Sequence, residues 1–328
     1  MIDLSTRYLG LELPSPIVVS SSGLTRTQER VRLCAEAGAG AVVLKSLFEE
    51  QIEAQVGTLA DGGHSPYMHP EAMDYITRYG EEDAVDSYLR LIRDAKATVE
   101  IPVIASVHCV SAGTWTDFAR RVEDAGADAI ELNLFLLPSD PRRNGREYEQ
   151  VTFDIADAVT SKVSIPVALK VGPHYSGMMQ LLLNLSRSGI AGLTLFNRFF
   201  QLDFDINDFT VVPARIFSHP EEIAVPLRWI SILSWRAGCD LAATTGVHDA
   251  EGVIKQLLAG AAAVQVCSAV YQKGIRHIGT MLDGVREWME KQGFATVAEF
   301  RGRMSQRASD NPAAYERVQF MKSTTGVE

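Results

Sequence analysis

The stretch AEAGAGAVVLKS, residues 35–46, decides the fold. Its first residues close an amphipathic helix, its glycines and alanines turn a tight corner, and its last six form an apolar strand that stops at Lys45 and Ser46. Small residues at such a corner permit the left-handed C-cap and the close helix-to-strand packing of a βαβ unit. The corner recurs as EDAGADA at 123–129, SRSGIAG at 186–192 and LLAGAAA at 257–263.

Working outward from these corners, eight strands can be drawn: PIVVS (16–20), AVVLKS (41–46), PVIASV (102–107), AIELNL (129–134), PVALKV (166–171), GLTLFN (192–197), DLAATT (240–245) and AVQVCS (263–268). They are almost continuously apolar rather than alternating, as strands covered on both faces should be, which implies a parallel sheet. Helix-periodic stretches such as DAVDSYLRLIRDAKATV and AEGVIKQLLA lie between them. Eight such units close most simply into an α/β fold of the TIM (β/α)8 barrel type. An open doubly wound sheet is the competitor, but its Gly-x-Gly-x-x-Gly turn is absent after the first strand. The expectation is a single domain over residues 1–328, with an N-terminal hairpin in LSTRYLGLELPSP across the N-terminal mouth and a polar, helical C-terminal extension at 302–328.

The 328 residues are 46% hydrophobic and 22% charged, enough to bury a large core, and the formal net charge is −10. An acidic chain without a Lys/Arg block excludes a nucleic-acid or anionic-membrane surface and leaves small molecules as partners. Cys34, Cys109, Cys239 and Cys267 are far apart and form no C-x-x-C pair, so neither zinc nor an iron–sulfur cluster is expected. No metal site is expected at all. No run of 18 apolar residues and no basic-then-apolar start occurs, so a cytoplasmic protein is expected.

In a barrel of this kind chemistry belongs to the C-terminal strand ends. Those ends carry Ser20, Ser21 and Ser22; Lys45 and Ser46; Ser106 and His108; Glu131 and Asn133; Lys170; Asn197 and Arg198; Thr244 and Thr245; Cys267 and Ser268. A single serine or threonine there is explained by solvation at a loop entrance. Two lysines that each end a strongly apolar strand are not, because a half-buried ammonium needs an anion or carbonyl to offset its desolvation. The loops ATTGVHDAEG (243–252) and VCSAVYQKG (266–274) follow the last two strands, where barrels often hold phosphate on backbone N–H groups.

The order and spacing of these ends resemble the dihydroorotate dehydrogenase family, over about residues 3 to 300. The carriers are Ser20-Ser21-Ser22-Gly23, Leu44-Lys45-Ser46, Glu131-Leu132-Asn133, Leu169-Lys170-Val171, Asn197, Phe217-Ser218-His219-Pro220, Pro226-Leu227-Arg228, Thr244-Thr245-Gly246-Val247 and Val264-Gln265-Val266-Cys267-Ser268-Ala269. The resemblance implies an FMN-dependent oxidoreductase that passes hydride between a small anionic substrate and flavin N5, a role in pyrimidine biosynthesis, and a homodimer. It implies cofactor contacts from Ser21, Ser22, Lys45, Ser46, Asn133, Lys170 and Asn197 to the ring and ribityl chain. Ser218, Thr245, Gly246, Cys267 and Ser268 would surround the phosphate. His64, Asn133, Asn197 and Arg198 would face substrate. A fixed ammonium such as Lys170 would stabilise the negative charge that reduction places on the N1–C2=O side of the ring.

The departures are as specific as the matches. The family's loop after the fourth strand carries a Cys or Ser base, whereas this chain reads Asn133-Leu134-Phe135-Leu136-Leu137-Pro138-Ser139-Asp140. Ser139 is the candidate replacement base and Lys45 a second catalytic candidate. The substrate-clasping loop after the second strand is replaced by Gly63-His64-Ser65-Pro66-Tyr67-Met68-His69-Pro70, and three family glycines near the phosphate are Thr245, Cys267 and His219. Arg198 fits either a substrate carboxylate or a salt bridge. Two other readings stand beside the flavin one: a Schiff-base aldolase using Lys170 or Lys45 on a phosphorylated substrate, and a flavin-binding protein that has lost catalysis.

Overall fold

The computed structural model describes residues 2–49, 51–52 and 84–318. Two short strands, β1 (Thr6–Tyr8) and β2 (Leu11–Leu13), pair antiparallel as the expected hairpin. The barrel strands are β3 (Ile17–Val19), β4 (Ala41–Val43), β6 (Val103–Cys109), β7 (Ala129–Leu134), β8 (Val167–Val171), β9 (Gly192–Leu195), β12 (Asp240–Ala243) and β13 (Ala263–Val266). Each pairs parallel with the next, and β13 pairs with β3, so the sheet closes into a TIM barrel. A two-residue strand, β5 (Leu47–Phe48), pairs with Val107–His108.

The four small-residue corners turn through Gly38, Gly126, Gly189 and Gly260, all at positive φ. Gly260 caps α7 (Ala250–Ala259), and a Cβ there would sit 2.4 Å from Ser234 Cβ, so both φ and space require glycine.

Two apolar clusters result. The larger packs helices against the outside of the sheet. The smaller fills the lower end of the barrel, where Val18, Val43, Ile104, Ala168 and Ala242 meet Tyr8, Leu9 and Leu13 from the hairpin. The alanines leave room for that intrusion: at about 1.5–3 kcal/mol per fully buried large side chain, the three hairpin residues anchor it strongly. Leu9 (φ 56) and Gly10 (φ 77) form the two-residue turn with both φ positive that a tight hairpin favours. Leu9 Cδ2 occupies the space where a Cβ on Gly192 would lie, 2.4 Å away.

Two regions depart from the sequence expectation. GVREWMEKQGF is helical as far as Gln292, the end of α9 (His277–Gln292); of the extension expected to be helical over 302–328, the described part, 302–318, carries two single 3-10 turns, Gln306–Ala308 and Pro312–Glu316, and 319–328 lie outside the described residues. Ser309, Asp310 and Asn311 break the path, and Pro312 can only begin a new turn. The second departure is a hairpin after β9, made of β10 (Leu202–Asp205) and β11 (Thr210–Pro213). It carries Phe204, Ile206 and Phe209 at 63%, 79% and 91% exposure. Among the described residues no helix is long and apolar enough to cross a membrane.

Candidate active site

The C-terminal strand ends surround two adjoining cavities. One, of about 440 Å³, is lined by Lys45, His108, Asn133, Phe135, Phe199 and Arg215, among others. The other, of about 240 Å³, is lined by Lys170, Ser218, Thr245, Gly246, Cys267 and Ser268 with their neighbours. Both share Ser21, Asn197, Arg198 and Ile216, so the two expected lysines face one continuous mouth. A larger cavity, about 620 Å³, lies on the outer face between α6 (Ala224–Leu233), α7 and the second 3-10 turn. Its lining is mainly apolar and its Lys255 pairs with Glu251, so it offers little chemistry.

Lys170 is 7% exposed, and its Nζ donates to Ser20 Oγ at 2.9 Å and to Gln265 Oε1 at 3.0 Å. Gln265 Nε2 donates to Glu131 Oε2, which also accepts from Thr194 Oγ1 at 2.9 Å. Tyr8 OH lies 3.3 Å from Thr194 Oγ1, so a row of polar groups runs from the hairpin on the barrel floor to the lysine at its mouth. Burial, and then the Glu131 charge, raise the Tyr8 phenol well above its ordinary range, so it stays protonated. Lys45 is only half-buried, with Nζ 5.5 Å from the centroid of the Phe48 ring. On the same wall Phe48 packs on His108 at 5.1 Å.

The remaining sequence candidates divide. Asn133 and Asn197 meet directly, Asn197 Nδ2 donating to Asn133 Oδ1 at the seam of the two cavities. Ser21 and Ser46 line the mouth, yet Ser21 Oγ, Ser46 Oγ and Ser106 Oγ are joined in one chain of hydrogen bonds. Ser22 lines neither cavity; it caps the 3-10 turn at Gly23–Thr25, accepting from Leu24 N and donating to Ser20 O. Ser139 is exposed and absent from both linings, while Phe135 faces the cavity and stacks on Phe199 at 4.3 Å. His64 lies outside the described residues.

Arg198 donates through Nε to Glu222 Oε2 at 2.7 Å and through Nη1 to the carbonyls of Arg215 and Ile216. Burial pushes the Glu222 carboxyl up, but Arg198 and the His219 N–H outweigh it and hold it below its usual range. The salt-bridge alternative therefore accounts for most of the Arg198 guanidinium, which thereby braces the stem of the exposed hairpin.

The end away from Lys45 gathers backbone N–H groups and hydroxyls around a tight glycine turn. Gly246 has φ +79, and a Cβ on it would fall 2.1 Å from Ile223 N, so only glycine lets the loop pass this close. Among the described residues the Gly246 and Val247 N–H groups have no backbone acceptor. Ser268 Oγ accepts from Ser218 N at 3.0 Å, and Ser218 Oγ contacts His248 Nε2 at 2.9 Å. Thr245, which stands in for a family glycine, retains the glycine-like conformation at φ 77 and ties Oγ1 to Phe196 O at 3.1 Å. Cys267 has φ −146 and His219 φ −107, so glycine is not required at either for conformation. Burial raises the Cys267 thiol, against Ser22 and the two ammonium groups pulling it down, which makes it a poor nucleophile.

Sequence reading missed Phe48, Phe199, Phe200, Arg215 and Ile216 as lining residues. Four of them flank the unexpected hairpin, whose alternating pattern in QLDFDINDFTVVP was the available signal.

A family model described as dihydroorotate dehydrogenase matches residues 3–289. The catalytic subunit of dihydroorotate dehydrogenase B (NAD(+)) from Thermoplasma acidophilum is 26% identical, covering 92% of this chain and 99% of its own length. Its namesake from Pyrococcus abyssi is 26% identical over 91% and 98%. The NAD-dependent dihydropyrimidine dehydrogenase subunit PreA of Escherichia coli K12 is 25% identical over 92% of this chain and 76% of that protein.

Proposed function

The chain belongs to the dihydroorotate dehydrogenase family, and from that premise we propose that it is an FMN-dependent oxidoreductase moving hydride between a small anionic substrate and flavin N5. The observation that carries this reading is the convergence of Lys45 and Lys170 on one mouth whose far end is a glycine-lined, hydroxyl-rich cup. The residues fit the cofactor. The cup lined by Ser218, Gly246, Val247 and Ser268 would suit a phosphate, to which these residues would supply neutral donors. Asn133, Asn197 and Lys170 would hold the ring, and Thr245 and Cys267 would narrow the cup relative to glycine. When bound, the flavin supplies two-electron chemistry that no side chain can.

The chain's own work is orientation and charge. Lys170 keeps an ammonium aimed into the mouth, and its two acceptors make it a poor Schiff-base nucleophile, which weighs against aldolase chemistry. Phe48, Phe135, Phe199 and Phe200 form an apolar wall that would suit a planar substrate, with Lys45 and Arg215 to meet its charge. Since leucines stand in place of the family base beside Pro138 and Ser139 is exposed, we assign proton transfer to His108, an imidazole that lines the cavity. The relatives' names, dihydroorotate and dihydropyrimidine dehydrogenases, favour a partly saturated pyrimidine ring as substrate class. We further propose that the protein works in the cytoplasm as a homodimer through the exposed face of Leu202, Phe204, Phe209 and Val211. The test is reconstitution: protein incubated with FMN and desalted should stay yellow near one flavin per chain, bleach anaerobically with a member of a dihydropyrimidine panel, and lose that bleaching in His108→Asn. A colourless product would overturn the reading.

A further inference from the structure

We propose that Glu131 is a positioning residue which, through Gln265, sets the aim and net field of the Lys170 ammonium and so lowers the reduction potential of flavin bound at this mouth. The inference rests on the flavin reading above and extends it to a residue that lies beneath the cavities.

Glu131 is 1% exposed in the barrel interior and lines neither cavity. Among the described residues its Oε1 has no hydrogen-bond partner, and its Oε2 receives both Gln265 Nε2 and Thr194 Oγ1. An ionised carboxylate only accepts hydrogen bonds, whereas an amide can present either end to a neighbour. Glu131 therefore decides the orientation of Gln265: its NH2 must face the carboxylate, which turns its carbonyl oxygen to Lys170 at 3.0 Å. With Ser20 Oγ taking a second N–H at 2.9 Å, two of the three ammonium donors are spent, and the third is left for a ligand in the cavity that Lys170 lines. The same contacts oblige Thr194 to donate to Glu131, and hence Tyr8 to donate to Thr194.

Charge gives the second half of the argument. A buried carboxylate is tolerated when a cation offsets it, and Lys170, one amide away, is the group connected to it by hydrogen bonds. The offset is mutual: the carboxylate subtracts from the positive field that Lys170 projects toward the ligand. In a low-dielectric interior such a subtraction is felt strongly. Replacing Glu131 by a neutral isostere should leave Lys170 with its full field and a freely oriented Gln265. Electron gain by the flavin is then easier. A purely structural ion pair would change stability and leave the flavin's electronic properties alone.

The experiment uses the FMN-loaded protein and its Glu131→Gln, Glu131→Asp and Gln265→Met variants. The midpoint potential is read by anaerobic equilibration with reference dyes, and sulfite affinity, a probe of positive charge beside the N1–C2=O edge, from bleaching of the flavin band. The expected result is a more positive potential in Glu131→Gln, a sulfite dissociation constant about tenfold smaller, which is ~1.4 kcal/mol, and values near wild type in Glu131→Asp. Gln265→Met should shift both readouts in the same direction, because it removes the carbonyl dipole that accepts from Lys170 and partly offsets its charge. It decides the matter if Glu131→Gln does not fold. Unchanged potential and sulfite affinity, within twofold, in the flavin-loaded variants would overturn the proposal while leaving the flavin reading intact. Wild-type protein that takes up no FMN would overturn both.

Discussion

The mouth of this barrel has two halves built on different principles. Around Lys170, polar groups are buried and reciprocally bonded, and loops approach so closely that Gly246 tolerates no side chain. Around Lys45, aromatic rings and a half-exposed cation form a wall that borders on an exposed apolar hairpin. The first half keeps the family pattern with three glycines altered; the second has lost the family's base and clasp. On the proposed function, the contrast is what a cofactor of fixed shape and a changed substrate would leave: the first would hold residues in place, the second would rewrite the loops that face it.

Exchanging the two lysines for methionine should break the symmetry of their sequence contexts. Lys170→Met strands Glu131 as a buried, uncompensated anion, and denaturant unfolding should show a loss of roughly 3–5 kcal/mol. Lys45→Met should cost less than about 1 kcal/mol in the same assay. Equal losses would mean that the halves are not distinct. Next in size, Gly246→Ala forces a Cβ against Ile223 N at positive φ. We expect roughly 2–4 kcal/mol of destabilisation and no retained FMN after gel filtration.

Thr245→Gly sharpens the same half in the opposite direction. Relief of the left-handed strain is largely offset by the flexibility of glycine and the lost bond to Phe196 O, so stability should stay within about 1 kcal/mol of wild type. FMN, titrated by fluorescence quenching, should bind several-fold tighter. Phe199→Ala, in the aromatic half, should leave that affinity within twofold. The smallest effect concerns His248, whose pKa is held below its ordinary 6.5 by burial and then by Lys273. A depressed histidine pKa means the unfolded chain binds the extra proton, so this contribution is complete above 6.5 and is lost as pH falls toward the folded value. Urea midpoints measured from pH 7.5 to 5.5 should decline more steeply for wild type than for His248→Gln.

Much of the fold was legible because it rests on local repetition. Each glycine corner is followed by an apolar run, and all eight runs became strands, most of them shorter than drawn, AIELNL as drawn and PVIASV running on to Cys109. The lysines were legible because a cation ending an apolar strand conflicts with its surroundings unless something resolves it. Ser22 misled because a serine that caps a turn and a serine that binds a ligand share one sequence context. Glu131 was noted at its strand end, but its link to Lys170 through Gln265 joins three strands and appears only when the barrel closes. Phe199, Arg215 and Ile216 reach the mouth through a long-range hairpin placement that periodicity does not encode.

Tyr8, Leu9 and Leu13 fill the lower end of the barrel, and among the described residues both polar cavities lie at the opposite rim. On the flavin reading, two reaction partners sharing that rim would take turns, and the hairpin at the base would set the order of traffic without touching either visitor.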